Sequence, residues 1–308
     1  MGWKYWAARP DWDGSRSFMA QHHGTIVAHA AVWPMHVRVS DQEVMAVHLF
    51  DWAADSNYAG VGVWLLRQIA AKGVLMVAAA TSDIALRILR VIGFRPHSEI
   101  YQFARPVQPL GQILTSERNW KLPMRLLRNS FWCLAHPLAH SREWSARPLA
   151  PEEIPDGLWP RSTPGTAVTA RSPGLYRYFV DSPTAPHVLF GLHKSHELVG
   201  YFSLSIASHV ARIADLWLPS NNVDDWCAGY RTAAVMAARE KEVYEISTWA
   251  STSLGREGLS RAGFMLRGQL TLSLFGEAKK ILEGCEFHLQ MLDSDVSILS
   301  DQDVSYLT

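Results

Sequence analysis

The sequence predicts an α/β protein built from two copies of one unit, each a mixed, mostly antiparallel sheet flanked by helices. Three observations lead there. The length of 308 residues suggests two domains, at roughly 100 to 200 residues per domain. Hydrophobic residues make up 48% with 13 tryptophans, too apolar for a disordered chain and too interrupted for a membrane protein. The order of elements in the first half then recurs in the second, down to a Gly-Phe pair after a helix, Gly93-Phe94 and Gly263-Phe264, and two copies of one fold explain this most economically.

Ser17 to Gln21 and Thr25 to Val32 alternate as strands, with His22-His23-Gly24 supplying the hairpin turn, and a further strand runs from about Val44 to Ala53. Gly60 to Lys72 reads as a helix with Val61, Leu65, Leu66 and Ile69 on one stripe and Gly73 as its stop. Val74 to Ala80 is an apolar run of buried-strand length. Ser82 can cap a helix whose Ala85, Ile88, Leu89 and Ile92 share a face, and a strand near Glu99 to Ala104 follows.

The segment from Pro106 to Arg147 reads as a connection, partly helical. Arg125 and Arg128 with Leu126, Leu127 and Phe131 would suit an amphipathic helix at a membrane surface, although the solvated side of a packed helix is the commoner origin of such a pattern. The recurring pattern is a hairpin of His187 to Leu192 and Leu198 to Ile206, a strand at Val210 to Leu218, a helix at Asp224 to Lys241, a strand at Tyr244 to Trp249, a helix at Leu254 to Ala262 and a strand at Met265 to Phe275. The expected layout is a first unit over 1–105, a connection over 106–145, a second unit over 146–276 and an acidic tail over 277–308, with a strand at Phe287 to Leu292 docking on a neighbouring domain.

The chemistry lies between Leu49 and Leu66. An apolar strand runs into Asn57-Tyr58-Ala59-Gly60-Val61-Gly62 and straight into a helix. Glycines there let backbone N–H groups approach an anion, and the helix start adds unpaired N–H groups and the positive end of its dipole. The arrangement suits a pyrophosphate. A dinucleotide fingerprint needs a third glycine and an acid at the end of the next strand, which ends Ala78-Ala79-Ala80, and a P-loop needs Gly-Lys-Ser/Thr, which is absent.

This stretch resembles the Gln/Arg-x-x-Gly-x-Gly/Ala pattern of the GNAT superfamily of acyl-CoA N-acyltransferases, with Gly60 and Gly62 matching and Asn57 in place of the usual Gln or Arg. Ser82, Ala85, Ile88, Leu89, Gly93 and Phe94 fall at the spacing of the family's following helix. The resemblance covers both halves and implies tandem GNAT-like domains, acetyl-CoA or another acyl-CoA as cofactor, and a small-molecule amine as acceptor, by family habit an amino sugar or amino-acid derivative. It implies a cofactor site of Trp52, Ala53, Asn57, Tyr58, Ala59, Gly60, Val61, Gly62 and Val63, with Ser82, Ala85 and Leu89 from the next helix. Arg67, Lys72, Arg87 and Arg90 could meet the 3′-phosphate of CoA, or be ordinary solvated charges. In the second half the matching segment, Leu218 to Asp225, has no glycine and carries Asp224 and Asp225, so this copy is expected to lack a cofactor site and to provide acceptor surface.

Family members transfer the acyl group by direct attack of an amine on the thioester. The usual tyrosine acid is replaced by Leu89 and, in the second copy, by Leu259. That loss is tolerable, since a thiol of pKa about 8.5 leaves well near neutral pH. His48 and Asp51 stand near the cradle as candidate bases. His48 has a suitable unperturbed pKa, although a lone histidine among apolar neighbours is more often a core residue. Asp51 has a counterpart in Asp215, so a structural role is as reasonable as catalysis. Two rival readings are a non-catalytic GNAT-like binding or scaffold protein, and a Fem-type transferase that uses aminoacyl-tRNA and shares the tandem plan. The family's strand and two helices before the hairpin have no room ahead of Ser17, so another element must close that side.

Lys plus Arg (29) balance Asp plus Glu (29), which offers no net attraction to nucleic acid or an anionic bilayer; a polyanionic partner would need a local basic patch. Cys133, Cys227 and Cys285 are too scattered for a disulfide framework or a thiolate metal site, and His136 with His140 lacks a third ligand, so no metal is expected. The start lacks a signal-peptide core, and a cytoplasmic protein is expected. Trp33, Trp52, Trp64 and Trp217 could line an acceptor groove or simply fill the core.

Overall fold

The computed structural model describes residues 2–80, 83–116, 120–139, 141–299 and 306–308. A short helix α1 (Gly2–Trp6) precedes β1 (Ser17–His22), β2 (Thr25–Val39), β3 (Gln42–Ala54), α2 (Val61–Ala70), β4 (Leu75–Ala80), α3 (Asp83–Ile92) and β5 (Arg95–Pro106). The connection holds α4 (Pro109–Thr115) and α5 (Leu122–Ala135). Then come β6 (Trp144–Pro148), β7 (Thr166–Thr169), α6 (Pro173–Val180), β8 (His187–Lys194), β9 (Glu197–Ala207), β10 (Val210–Trp217), α7 (Val223–Ala237), β11 (Glu245–Ala250), α8 (Ser253–Arg261), β12 (Met265–Phe275) and β13 (Glu286–His288).

Local chemistry repeats with the elements. Both hairpins close on two residues with positive φ, His23 and Gly24 in the first and Ser195 and His196 in the second, the turn whose twist matches that of paired strands. Both α3 and α8 end on a left-handed glycine, Gly93 and Gly263, and the next N–H, of Phe94 and of Phe264, returns to a carbonyl in the last turn. Strand pairing repeats as well: β2 with β3 and β9 with β10 are antiparallel, and β3 with β4 and β10 with β11 are parallel.

The two sheets are one. The order runs β13-β7-β2-β3-β4-β12-β5-β11-β10-β9-β8-β6, with β1 on β2. β12, from the second half, lies antiparallel between β4 and β5, and β5, from the first, lies between β12 and β11. Each half therefore lends its last strand to the other. This exchange is not legible in the sequence, because alternation fixes which face of a strand is apolar and not which edge it joins.

The tail docks as expected, but its strand is shorter than Phe287 to Leu292. Only Glu286–His288 pairs, parallel to β7, because the Gln290 N–H turns to the Asp293 carboxylate at 2.8 Å and the chain enters 3₁₀ turns at Met291–Asp293 and Asp295–Ile298. One core, shared by both halves, contains Trp33, Phe50, Tyr176, Tyr201 and Trp217. A second packs α2 and α3 on the first-half sheet through Leu66, Ile69, Leu89 and Phe94, each such side chain contributing about 1.5 to 3 kcal/mol.

Candidate active site

In the first half β3 and β4 pair only over Ala46 to His48 against Leu75 to Val77, and then part. At the point of parting β3 bulges. Its register with β2 skips from Phe50–Ala31 to Ala53–His29, and Asp51 takes a left-handed φ of 45°, with its carbonyl accepting from His29 Nδ1 at 3.0 Å. A bulge re-aims the following backbone groups. Ala53 and Ala54 beyond it are exposed.

The turn after β3 is held locally. Asp55 Oδ1 accepts from the Asn57 N–H at 2.9 Å, and the Asp55 carbonyl accepts from Tyr58. The two cradle glycines serve different ends. Gly60 caps α2 at φ 81° and a Cβ there would meet nothing within 4 Å, so it is a conformational requirement facing open space. Gly62 is a packing requirement, since a Cβ would lie 3.0 Å from Ala54 Cβ and from Trp52 Nε1; the Trp52 indole N–H donates to the Gly62 carbonyl at 3.3 Å. Among the described residues the N–H groups of Gly60, Gly62 and Val63 meet no protein acceptor, so the start of α2 presents donors and a positive dipole end to an anion.

Around this mouth, Asn57 and Ala59 are exposed, Val61 is half-buried, and half-buried Tyr58 packs edge-on against His22. Ser82 lies outside the described residues. Ala85 is half-buried on α3. Leu89 is 4% exposed within the second core; it packs α3 down and offers almost no surface to a ligand. Arg67, Arg87 and Arg90 are exposed, and Lys72 lies over the Phe18 ring.

His48 and Asp51 sit in contrasting surroundings. His48 is buried, and its Nδ1 lies 3.0 Å from the Asp293 carbonyl. A carbonyl only accepts, so Nδ1 carries the proton and Nε2 the lone pair. Burial pushes the His48 pKa down, only partly opposed by the Asp293 carbonyl and the carboxylates of Asp295 and Asp293, so the ring is neutral at pH 7. Asp51 Oδ2 accepts from Lys4 Nζ at 2.6 Å and from Tyr5 OH at 2.6 Å. Burial alone would raise its pKa, but Lys4 and Tyr5 bring it below the ordinary value. An ion-paired carboxylate of lowered pKa is a poor base.

The second half repeats the framework and closes it. β10 parts from β11 beyond Ile213, and its bulge falls before Asp215. Here the tail bridges the gap: the Leu216 N–H and carbonyl both bond the Gln290 side-chain amide at 2.9 Å, and Ser251, just after β11, donates to the carbonyls of Phe287 and Leu289. At the cradle position α7 caps itself. Asn222 Oδ1 accepts from the Asp224 N–H, Asp225 takes Ser220 OH and Lys194, and Asp224 takes Arg261. What remains open is a slot of about 220 Å³ walled by Trp159, Trp217, Trp226 and His288.

Several participants carry no sequence signal. Lys4 and Tyr5 come from α1, too short to show periodicity, and Lys4 also pairs with Asp295 at 2.9 Å. Arg171 is buried between Asp215 at 2.8 Å and Asp293 at 2.7 Å, and Tyr176 OH donates to Asp215. Asp215 thus anchors the tail, the structural alternative raised for Asp51. The four tryptophans do not form one groove: Trp33 is in the core with its N–H on the Leu292 carbonyl, Trp64 is exposed, Trp52 packs on Gly62 and Trp217 belongs to the second-half slot. Among the described residues no group of three or more His, Cys, Asp or Glu side chains could hold a metal, and no helix is long and apolar enough to cross a membrane.

No family model matches the chain, and no curated protein matches it. Solved structures share its architecture. Saccharomyces cerevisiae N-myristoyltransferase with bound myristoyl-CoA and inhibitors superposes with a TM-score of 0.59 at 13% identity, over 87% of this chain and 69% of that one. A GCN5-related N-acetyltransferase from Anabaena variabilis gives 0.53 at 13% identity, over 84% and 62%. A probable N-acyltransferase from Enterococcus faecalis gives 0.54 at 13% identity, over 86% and 63%. The chain spans less than two thirds of the length of these two bacterial proteins.

Proposed function

From the tandem GNAT fold of this chain, we propose an acyl-CoA-dependent N-acyltransferase that holds one acyl-CoA in its first half and passes the acyl group to a small amine. The observation that carries this reading is the start of α2, where the N–H groups of Gly60, Gly62 and Val63 meet no acceptor among the described residues, next to the point at which β3 bulges and parts from β4. The pyrophosphate would lie on the start of α2 and the pantetheine arm along β3. Trp52 matches Leu216 in register, and Leu216 turns both its N–H and its carbonyl into the second-half cleft. The Trp52 backbone N–H is therefore the donor we assign to the carbonyl oxygen that gains charge during attack. His48, neutral with Nε2 unprotonated, is assigned the base role, and the thiolate leaves without a protein acid because no tyrosine stands at Leu89. The second half supplies acceptor surface, acetyl is the proposed acyl group and an amino sugar or amino-acid derivative the proposed acceptor, in a cytoplasmic setting.

One observation favours a non-catalytic protein that retains the fold: the α1 side chains Lys4 and Tyr5 cover Asp51. Thiol release on mixing the protein with acetyl-CoA or longer acyl-CoA and an amine panel separates the two. Amine-dependent release supports the transferase. Binding of CoA without release for any chain length or amine would leave the scaffold reading in its place.

A further inference from the structure

The connection between the halves buries amides and leaves a row of large apolar side chains exposed. In α5 the buried side chain is Asn129, whose amide donates to Gln112 of α4 and to Thr308, and Arg125 donates to the Tyr306 carbonyl. Leu122, Leu126, Trp132 and Cys133 are half-buried toward the protein, while the other large apolar residues of the helix point away from it. Met124, Leu127, Phe131 and Leu134, at i, i+3, i+7 and i+10, form one stripe along the helix, and Leu110 and Leu114 of α4 are exposed while Gln112 is buried. These side chains, with Trp120, are 67% to 84% exposed. Two neighbouring surface helices that each bury an amide while exposing a row of large apolar side chains depart from the ordinary arrangement, and contiguous apolar surface of this kind marks an interaction site.

We propose that α4 and α5 form a peripheral membrane-docking face that seats its apolar stripe in the headgroup region of an anionic bilayer. Charge selects this occupant. Lys121 and Arg128 flank the stripe, and with Arg125 and Arg267 they line the concavity beside Trp120. Between Trp120 and Ala139 the sequence has no Asp or Glu, against Lys121, Arg125 and Arg128. This is the local basic patch that a neutral chain needs for a polyanionic partner. An apolar face rimmed with Lys and Arg, with a tryptophan at its end, is the pattern of a helix lying in the interface plane. A second copy fits less well, because a two-fold contact would set this basic rim against itself. The face is distinct from the cradle and does not depend on the transferase reading.

Flotation with vesicles of phosphatidylcholine alone, and of phosphatidylcholine with about one third phosphatidylglycerol, tests this. The intact chain should float with the anionic vesicles, less so as salt rises. Leu127→Glu with Phe131→Glu should reduce binding by at least about tenfold without lowering the melting temperature, since both side chains are exposed. Lys121→Glu with Arg128→Glu should remove the preference for anionic lipid. Failure of the wild-type chain to float, binding indifferent to lipid charge, or binding that survives the Leu127→Glu and Phe131→Glu pair would each overturn the proposal. So would a concentration-dependent dimer in light scattering that this pair splits, without vesicle binding, which would assign the face to a second copy.

Discussion

His48 can serve as the proposed base only because of what holds it. The Asp293 carbonyl fixes the proton on Nδ1, and burial keeps the ring neutral. Loss of the base should lower turnover by roughly 10²- to 10⁴-fold at neutral pH, so His48→Ala should show that loss with recovery at higher pH, where more amine is already deprotonated. The base form is the neutral one and its pKa is lowered, so the wild-type acid limb should lie below the ordinary histidine value of 6.5, and His48→Ala should abolish that limb. Asp51→Asn should stay within about threefold of wild type, as an exposed ion pair contributes little. A pH-rate profile of both variants checks this; loss in Asp51→Asn alone would move the base role to Asp51. His48 and Asp51 were legible as candidates from their distance to the glycines. Their ranking was not, because it rests on Lys4, Tyr5 and Asp293, far away in sequence.

At the scale of elements, the cradle is a strand, a turn and a helix start that only work together. Gly60 faces open space at φ 81°, so Gly60→Glu adds both backbone strain and a like charge where a pyrophosphate would lie. Calorimetric CoA affinity should fall at least about tenfold, equal to 1.4 kcal/mol, and unchanged affinity in a folded variant would remove the cradle from the site. This element was readable because glycines and the onset of helical periodicity are local signals. The tail was not. Gln290 bonds the Leu216 N–H and carbonyl, and the tail strand ends early because a side-chain carboxylate captures the next N–H, both long-range or side-chain events that leave no period. The connection was half legible. Its amphipathic pattern shows in the sequence, but which side faces the protein depends on Gln112, Thr308 and Tyr306.

The whole molecule is a pair of similar halves with opposite fates. Strand exchange through β5 and β12 makes one sheet, and the Arg171 bridge between Asp215 and Asp293 ties the tail across it; breaking such a buried network costs about 3 to 5 kcal/mol. The repeat was legible because the same turns and caps recur in order, whereas the exchange that joins the halves was not. The asymmetry follows from contents: the first cleft has N–H donors and an exposed bulge, while the second has its own carboxylates at the cradle and the tail between its strands. Calorimetric titration of the intact chain with CoA tests the central claim most directly. A stoichiometry of one per chain, at a site weakened at least about tenfold by Gly60→Glu, is the predicted result. Two sites per chain, or one site indifferent to Gly60→Glu, would contradict the assignment of the cofactor to the first half alone.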